Sequence, residues 1–380
     1  MNRSNTRSGS GANLPTLRHH NAALVLDLLR AAGERGISRL ELAERTGLTP
    51  QAVSKITTRL RAEGMAAEAG HRASTGGKPR TVLRLVPDAG YAVGLHLDRD
   101  ELTAVLVDLA GTPVAARTSP LDLGAPADEV VADAAEAADA VRGQRPVFGL
   151  GVAMPGPLDH RGGVLHRVTG FPQWDGYPLR DALAARTGLP VVVDKDTNAA
   201  ALGLALREPG GSDFAYLHLG TGLGAGLVLG GALHRGARTG AGEFGHQTLQ
   251  LDGPLCECGG RGCIEALCLA AVARGDVAEA VRVLGAGAAN LVGLLDIDRV
   301  VLGGRIVAAD EEAYVRGVRA VIEDRARREG TGRPTPVAVA GGGDRPVAEG
   351  AAQLVLAPVF GRVNEAGAPP EAVSSIAGRA

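Results

Sequence analysis

The spacing of apolar and polar positions divides the chain into a short helical head and a long body of strands and helices. In the head, residues 21–32 set Val25, Leu28, Leu29 and Ala32 on one face, as an amphipathic helix does, and Gly33 and Gly36 end it. Ser38-Arg39-Leu40-Glu41 has the form of a capping box and opens a short helix to about Thr46. Gly47 turns the chain, and Thr49 as cap with Pro50 at the first helical position starts another helix to about Glu63. That helix turns Val53, Ile56 and Leu60 inward and shows Gln51, Ser54, Lys55, Thr57, Thr58, Arg59 and Arg61 outward. Strand-like runs at 65–69 and 81–86 flank the glycine-rich stretch GHRASTGGKP. Two helices on a tight glycine turn, the second polar and basic outward, with a hairpin behind them, predict a winged helix-turn-helix over 17–86. Residues 1–16 are rich in Ser, Asn and Gly and are expected to be a disordered tail.

From Gly90 the period changes. Strands are predicted over 91–97, 102–107 and 114–118, with a hairpin turn at Gly111-Thr112, then a helix over 127–141 and a buried strand over 147–153. A strand at 191–193 leads into Asp194-Lys195-Asp196-Thr197-Asn198 and an alanine-rich helix. A second unit opens at Phe214 with a strand, the glycine run from Gly220 to Gly226 and another strand. A loop at 242–265, a helix at 277–295, strands at 299–302 and 337–340 and a helix near 347–357 follow. Two strand-rich units that each begin with a hairpin predict two α/β lobes, 87–200 and 201–380, around a cleft. The last helix is placed to pack back on the first lobe.

Composition adds little to this division, but charge adds much. Hydrophobic content is 45% and aromatic content only 3%, so the cores must be built from Leu, Val and Ala. No apolar run reads as long enough to span a membrane, and the polar N-terminus lacks the apolar stretch of a signal peptide, which sets the expectation of a cytoplasmic protein. Residues 1–86 hold 14 Lys and Arg against 6 Asp and Glu, while the rest hold 26 against 36. A basic head on an acidic body predicts that the head alone meets a polyanion. Lys78 and Arg80 would reach phosphates from the wing, and Gln51, Ser54, Lys55, Thr58 and Arg59 would meet DNA from the second helix. One such unit reads only a few base pairs, so a homodimer on a two-fold operator is expected.

The densest chemistry lies in GEFGHQTLQLDGPLCECGGRGCIE, residues 242–265. His246, Cys256, Cys258 and Cys263 make a closed set of four zinc ligands, and the glycines around them let a short loop bend the sulfurs together. The alternative is a cluster of buried free thiols; Cys268 reads as one such small apolar residue. Glu243 and Glu265 flank the loop, either as acceptors for a hydroxyl-rich ligand or as surface groups.

Gly-Glu-x-Gly-His followed by Cys-x-Cys-Gly-x-x-Gly-Cys-x-Glu resembles the signature of the ROK family of repressors and sugar kinases. The resemblance covers roughly 92–355 and implies a two-lobed sugar-kinase and actin-like (RNase H-like) fold with a structural zinc loop. It implies that the His and three Cys hold zinc and that Glu243, His246 and Glu265 contact a sugar. Asp196 matches the kinases' catalytic aspartate. The kinases hold ATP phosphates with Asp-x-Gly-Gly-Thr, where this chain has Asp98-Arg99-Asp100-Glu101-Leu102, so the phosphate turn reads as lost and Asp196 as a sugar acceptor. Lys195 stands where the family usually has Asn, and Gly170 where it commonly has another; Lys195 is expected either to pair with Asp196, favouring its ionised form, or to receive an anionic sugar. Together these predict a repressor that senses a sugar or sugar derivative. A working kinase with an added DNA-binding unit, and a repressor controlled by a partner protein, remain as alternatives.

Overall fold

The computed structural model describes residues 14–72, 80–207, 211–330, 334–341 and 345–362. The chain forms two compact units, one spanning 14–89 with the returning segment 357–362, the other spanning 90–356.

The first unit holds helices α1 (Leu14–Ala32), α2 (Arg39–Thr46) and α3 (Pro50–Ala62) with strands β1 (Ile37–Ser38), β2 (Ala66–Arg72) and β3 (Arg80–Leu85) in the order β1-β3-β2. The capping box forms: Glu41 N–H donates to the Ser38 hydroxyl at 3.3 Å and the Ser38 N–H to the Glu41 carboxylate at 2.8 Å. Gly47 makes its turn at φ 70°, and Thr49 caps α3. Two differences from the sequence reading stand out. Helix α1 starts at Leu14 and takes in residues assigned to the tail. Thr57, read as outward, is fully buried; its hydroxyl donates to the Val53 carbonyl and accepts from Arg39 Nε, so a threonine fills a core position without an orphaned polar group. The turn Ala357–Phe360 completes this unit, with Phe360 buried, the Arg30 guanidinium 4.4 Å over its ring and Arg362 on both oxygens of Asp27.

The first lobe of the second unit is a five-stranded sheet ordered β10-β7-β4-β5-β6. Here β4 is Tyr91–Leu97, β5 Glu101–Asp108, β6 Pro113–Pro120, β7 Val147–Met154 and β10 Val191–Lys195. The short pair β8 (Leu158–Asp159) and β9 (Val164–Leu165) lies between β7 and β10 in sequence. Helices α4 (Ala127–Arg142), α5 (Leu179–Thr187) and α6 (Asp196–Arg207) complete it. The second lobe repeats the plan as β13-β12-β11-β14-β15: β11 Phe214–Leu219, β12 Leu223–Leu229, β13 Ala232–Leu233, β14 Arg299–Gly303 and β15 Val337–Val339. Its helices are α7 (Ile264–Ala273), α8 (Val277–Leu295), α9 (Arg305–Ala309) and α10 (Glu311–Glu329). In each lobe an antiparallel hairpin is extended by two parallel strands.

Helix α8 corrects one expectation, being long and apolar enough by length and composition to cross a membrane. It is instead a core helix, half buried, with Val281, Leu284, Ala288 and Leu291 in the second lobe's apolar cluster. Helix α10 was not legible, because Tyr314, Val318 and Ile322 form a narrow buried stripe in an otherwise charged sequence.

Helix α11 (Pro346–Leu356) crosses the first lobe's sheet at backbone contact. A Cβ on Gly94 would lie 2.0 Å from the Ala348 carbonyl oxygen, and one on Gly151 1.8 Å from that of Ala351. Gly151→Ala is therefore expected to destabilise the protein by roughly 1–3 kcal/mol in denaturant unfolding. Gly240→Ala, whose added carbon meets nothing within 4 Å, should be close to neutral in the same assay.

Candidate functional site

The site is built on strand β12. The segment after β13 returns and lies flat on β12, where a Cβ on Gly242 would sit 1.9 Å from the Ala225 oxygen and one on Gly245 2.0 Å from the Leu223 oxygen. With Gly242 at φ 88°, only glycine satisfies both the turn and the approach. The single helical turn Phe244–His246 follows; Phe244 enters the core, and Glu243 and His246 line the cleft between the lobes. Glu265, in the first turn of α7, reaches back so that its Oε2 accepts the Leu223 N–H at 2.7 Å. Asp196 opens α6 and accepts the Thr197 N–H at 2.6 Å. The four residues singled out from the sequence, Asp196, Glu243, His246 and Glu265, thus line one cleft, together with Asp98, Arg99, Lys195, His218 and Thr221.

Of the two expectations for Lys195, pairing with Asp196 is not what the structure has. Lys195 pairs with Glu243 instead, its Nζ donating to Glu243 Oε1 at 2.9 Å and to the Ala241 carbonyl at 2.5 Å. Nor does Lys195 keep the Asp196 carboxyl below its ordinary range. Burial pushes its carboxyl up to about 7; the Thr197 N–H pulls it down, Asp98 pushes it up and Lys195 offsets only part of the rise. Gly170 has φ 86° and does not line the cleft, whereas its neighbour Thr169 does.

Below Glu243 and Glu265 the loop closes on itself. Gly262, at φ 61°, lies where a Cβ would be 1.7 Å from the Gln250 oxygen. The closure gathers His246 Nδ1 and the sulfurs of Cys256, Cys258 and Cys263 within 4.8 Å of one another. The His246–Cys256 and Cys258–Cys263 separations are both 3.8 Å. A tetrahedron with metal–sulfur bonds of about 2.3 Å has edges of about 3.8 Å, which these two separations match, so the four residues could hold one metal ion. Cys268 stands apart, buried with its sulfur against the Ala280 carbonyl.

Sequence reasoning missed the opposite wall. The Thr221 hydroxyl donates to Asp98 Oδ1 at 2.5 Å, tying the glycine turn of the second lobe to the β4–β5 turn of the first. Arg305 grips both oxygens of Asp100 at 2.9 Å, also across the lobes. Under this wall, burial and the neighbouring His96 push the His218 imidazole down to about 4, which keeps it neutral. The sequence had marked the turn at 98–102 and the glycine run at 220–226, but not their pairing, and gave no signal for His218 or Arg305. On the first unit, Gln51, Ser54, Lys55, Thr58 and Arg59 are all exposed on α3, and Arg80 is exposed at the start of β3. Lys78 lies outside the described residues.

The Asp196 shift has a sign that can be measured. A carboxyl whose folded pKa exceeds its unfolded value holds its proton more tightly when folded, so it costs progressively more stability as pH rises from about 4 towards 7. Asp196→Asn is expected to melt above the unsubstituted protein at pH 8, with the advantage shrinking as pH falls to 5, as thermal unfolding at the two pH values would report.

Comparison with known proteins agrees with this geometry. The ROK family model matches residues 92–272 and 269–357, and a winged helix-turn-helix DNA-binding model matches 24–65. The xylose repressor of Caldicellulosiruptor bescii is 30% identical over 256 residues, covering 66% of this chain; the chain spans 63% of that repressor's length. A ROK family transcriptional regulator, described as a homologue of the Escherichia coli Mlc protein, superposes with a TM-score of 0.73 at 22% identity over 91% of this chain and 98% of its own, a likeness of fold. A Streptomyces griseus ROK glucokinase in complex with glucose and AMPPNP superposes with a TM-score of 0.60 at 28% identity, over 70% of this chain and 99% of its own. The chain belongs to the ROK family and carries a winged helix-turn-helix ahead of the family domain.

Proposed function

We propose that the protein is a cytoplasmic, DNA-binding transcriptional repressor whose ROK cleft senses a sugar. The observation that carries this reading is the joining, in one chain, of a helix-turn-helix with an exposed polar and basic second helix to a cleft where Asp196, Glu243, His246 and Glu265 converge. Such a cleft offers acceptors to several hydroxyls at once, which is what a sugar needs. The named similarity to a xylose repressor supports the same assignment and makes pentoses the first ligands to try. Gln51, Ser54, Lys55, Thr58 and Arg59 would meet the operator from α3, with Lys78 and Arg80 on phosphates, and a homodimer would present two such helices to a two-fold site.

His246, Cys256, Cys258 and Cys263 would hold a structural zinc ion. Zinc there would fix the loop whose two ends carry Glu243 and Glu265, so ligand binding would depend on it. Catalysis is not part of the proposal. The residues at 98–102 lack the paired glycines that let a backbone cradle phosphate, and Asp100 and Glu101 would meet a nucleotide with negative charge. One observation favours a kinase as the second reading: a carboxyl of pKa about 7 facing a sugar cleft is poised as a general base.

A thermal-shift panel of monosaccharides and amino sugars, with and without ATP and magnesium, separates the two. The repressor reading expects stabilisation by a sugar alone; stabilisation that requires ATP with magnesium would favour the kinase. In the same assay Cys258→Ser is expected to abolish the sugar shift, and metal analysis should find about one zinc per unsubstituted chain and little in the variant.

A further inference from the structure

Lys195 is almost wholly buried, at 3% side-chain exposure, yet its ammonium sits in the wall of the cleft. Its stem lies on Gly156, where a Cβ would be 2.8 Å from the Lys195 Cδ. Its ammonium donates to two acceptors from the segment that builds the opposite side, the Ala241 carbonyl and the Glu243 carboxylate. The other lining cation, Arg99, is drawn to Glu257 at 3.2 Å. The imidazole of His218 is kept neutral by burial and by His96. Against these stand Asp98, Asp196, Glu243 and Glu265. The lining side chains therefore offer acceptors in surplus, and each of the two lining cations is already paired with a carboxylate.

We propose that Lys195 is a specificity-determining positioning residue: by committing its ammonium to Glu243 and the Ala241 carbonyl, it fixes Glu243 as an acceptor for hydroxyls and leaves the cleft selective for uncharged sugars over sugar phosphates and sugar acids. This rests on the reading that the cleft binds a sugar. A hydroxyl-rich neutral ligand finds a partner at each carboxylate. A phosphate or carboxylate group entering the same space loses its water and meets like charge, with the nearest cations already engaged. Lysine at 195 thus supplies a charge that the ligand never feels directly and that acts through Glu243.

The test uses the full-length, zinc-loaded protein and calorimetric titration with matched probes: glucose, xylose and N-acetylglucosamine against glucose 6-phosphate, N-acetylglucosamine 6-phosphate and glucuronate. A neutral sugar should bind, and the anionic probes should bind at least about tenfold more weakly. Glu243→Gln, nearly isosteric and partly exposed, should release the Lys195 charge and move the anionic-to-neutral affinity ratio upward by about tenfold. Adding Lys195→Met to that variant should return the ratio to its starting value, which a purely structural lysine would not do. Binding of an anionic probe as tight as or tighter than that of the neutral sugars overturns the selectivity while leaving the sugar cleft standing, and so does a ratio unmoved by Glu243→Gln. Binding of none of the probes overturns the sugar reading and this inference with it.

Discussion

The backbone of residues 242–246 lies directly on strand β12, and the rest of the site depends on that contact. Side chains at 242 or 245 would force the two backbones apart, since the carbons they add would fall about 2 Å from carbonyl oxygens of the strand. Because glycine stands at both positions, Phe244 enters the core of the second lobe while Glu243 and His246 turn to the cleft. His246 then serves two structures at once, lining the cleft and joining three sulfurs in one compact cluster. The next close backbone contact, Gly262 on the Gln250 carbonyl, closes the loop and delivers Glu265 to the same cleft.

Glu243 and Glu265 stand at the two ends of this loop, and both are held against β12, Glu243 by the flanking glycines and Glu265 by the Leu223 N–H. The lobes meet through Lys195 with Glu243 and Arg99 with Glu257 on this loop, and through Thr221 with Asp98 and Arg305 with Asp100 beside it. The latter two contacts reach from the second lobe to the β4–β5 turn of the first. A ligand that favours one lobe arrangement over another would act against these contacts.

Much of this was legible in the sequence, for physical reasons that can be named. Ser38-Glu41, Thr49-Pro50 and Gly47 announce the helix boundaries of the first unit, because caps and left-handed turns are local chemistry. The clustering of His246 with Cys256, Cys258 and Cys263, and the carboxylates beside them, were legible because they are close in sequence. What stayed hidden was set by tertiary context. Thr57 is outward by polarity and inward by its place on α3, and only the Val53 carbonyl and Arg39 make it acceptable there. Lys195 is adjacent to Asp196 in sequence, yet its pairing is with Glu243, 48 residues on. Asp196 was expected to be ionised beside a cation, but burial outweighs that neighbour. Helix α10 escaped because most of its surface is charged.

The central claim is that one chain couples a sugar cleft to a DNA-binding unit. The most direct measurement is the affinity of the zinc-loaded protein for a DNA site selected from a random pool, followed by fluorescence anisotropy with and without a saturating sugar that stabilises the protein. The account predicts a specific duplex bound by a dimer, with an affinity that changes by tenfold or more when the sugar fills the cleft, as a differential affinity for two states requires. An affinity that is the same with the cleft filled and empty, or no selected DNA at all, would contradict it.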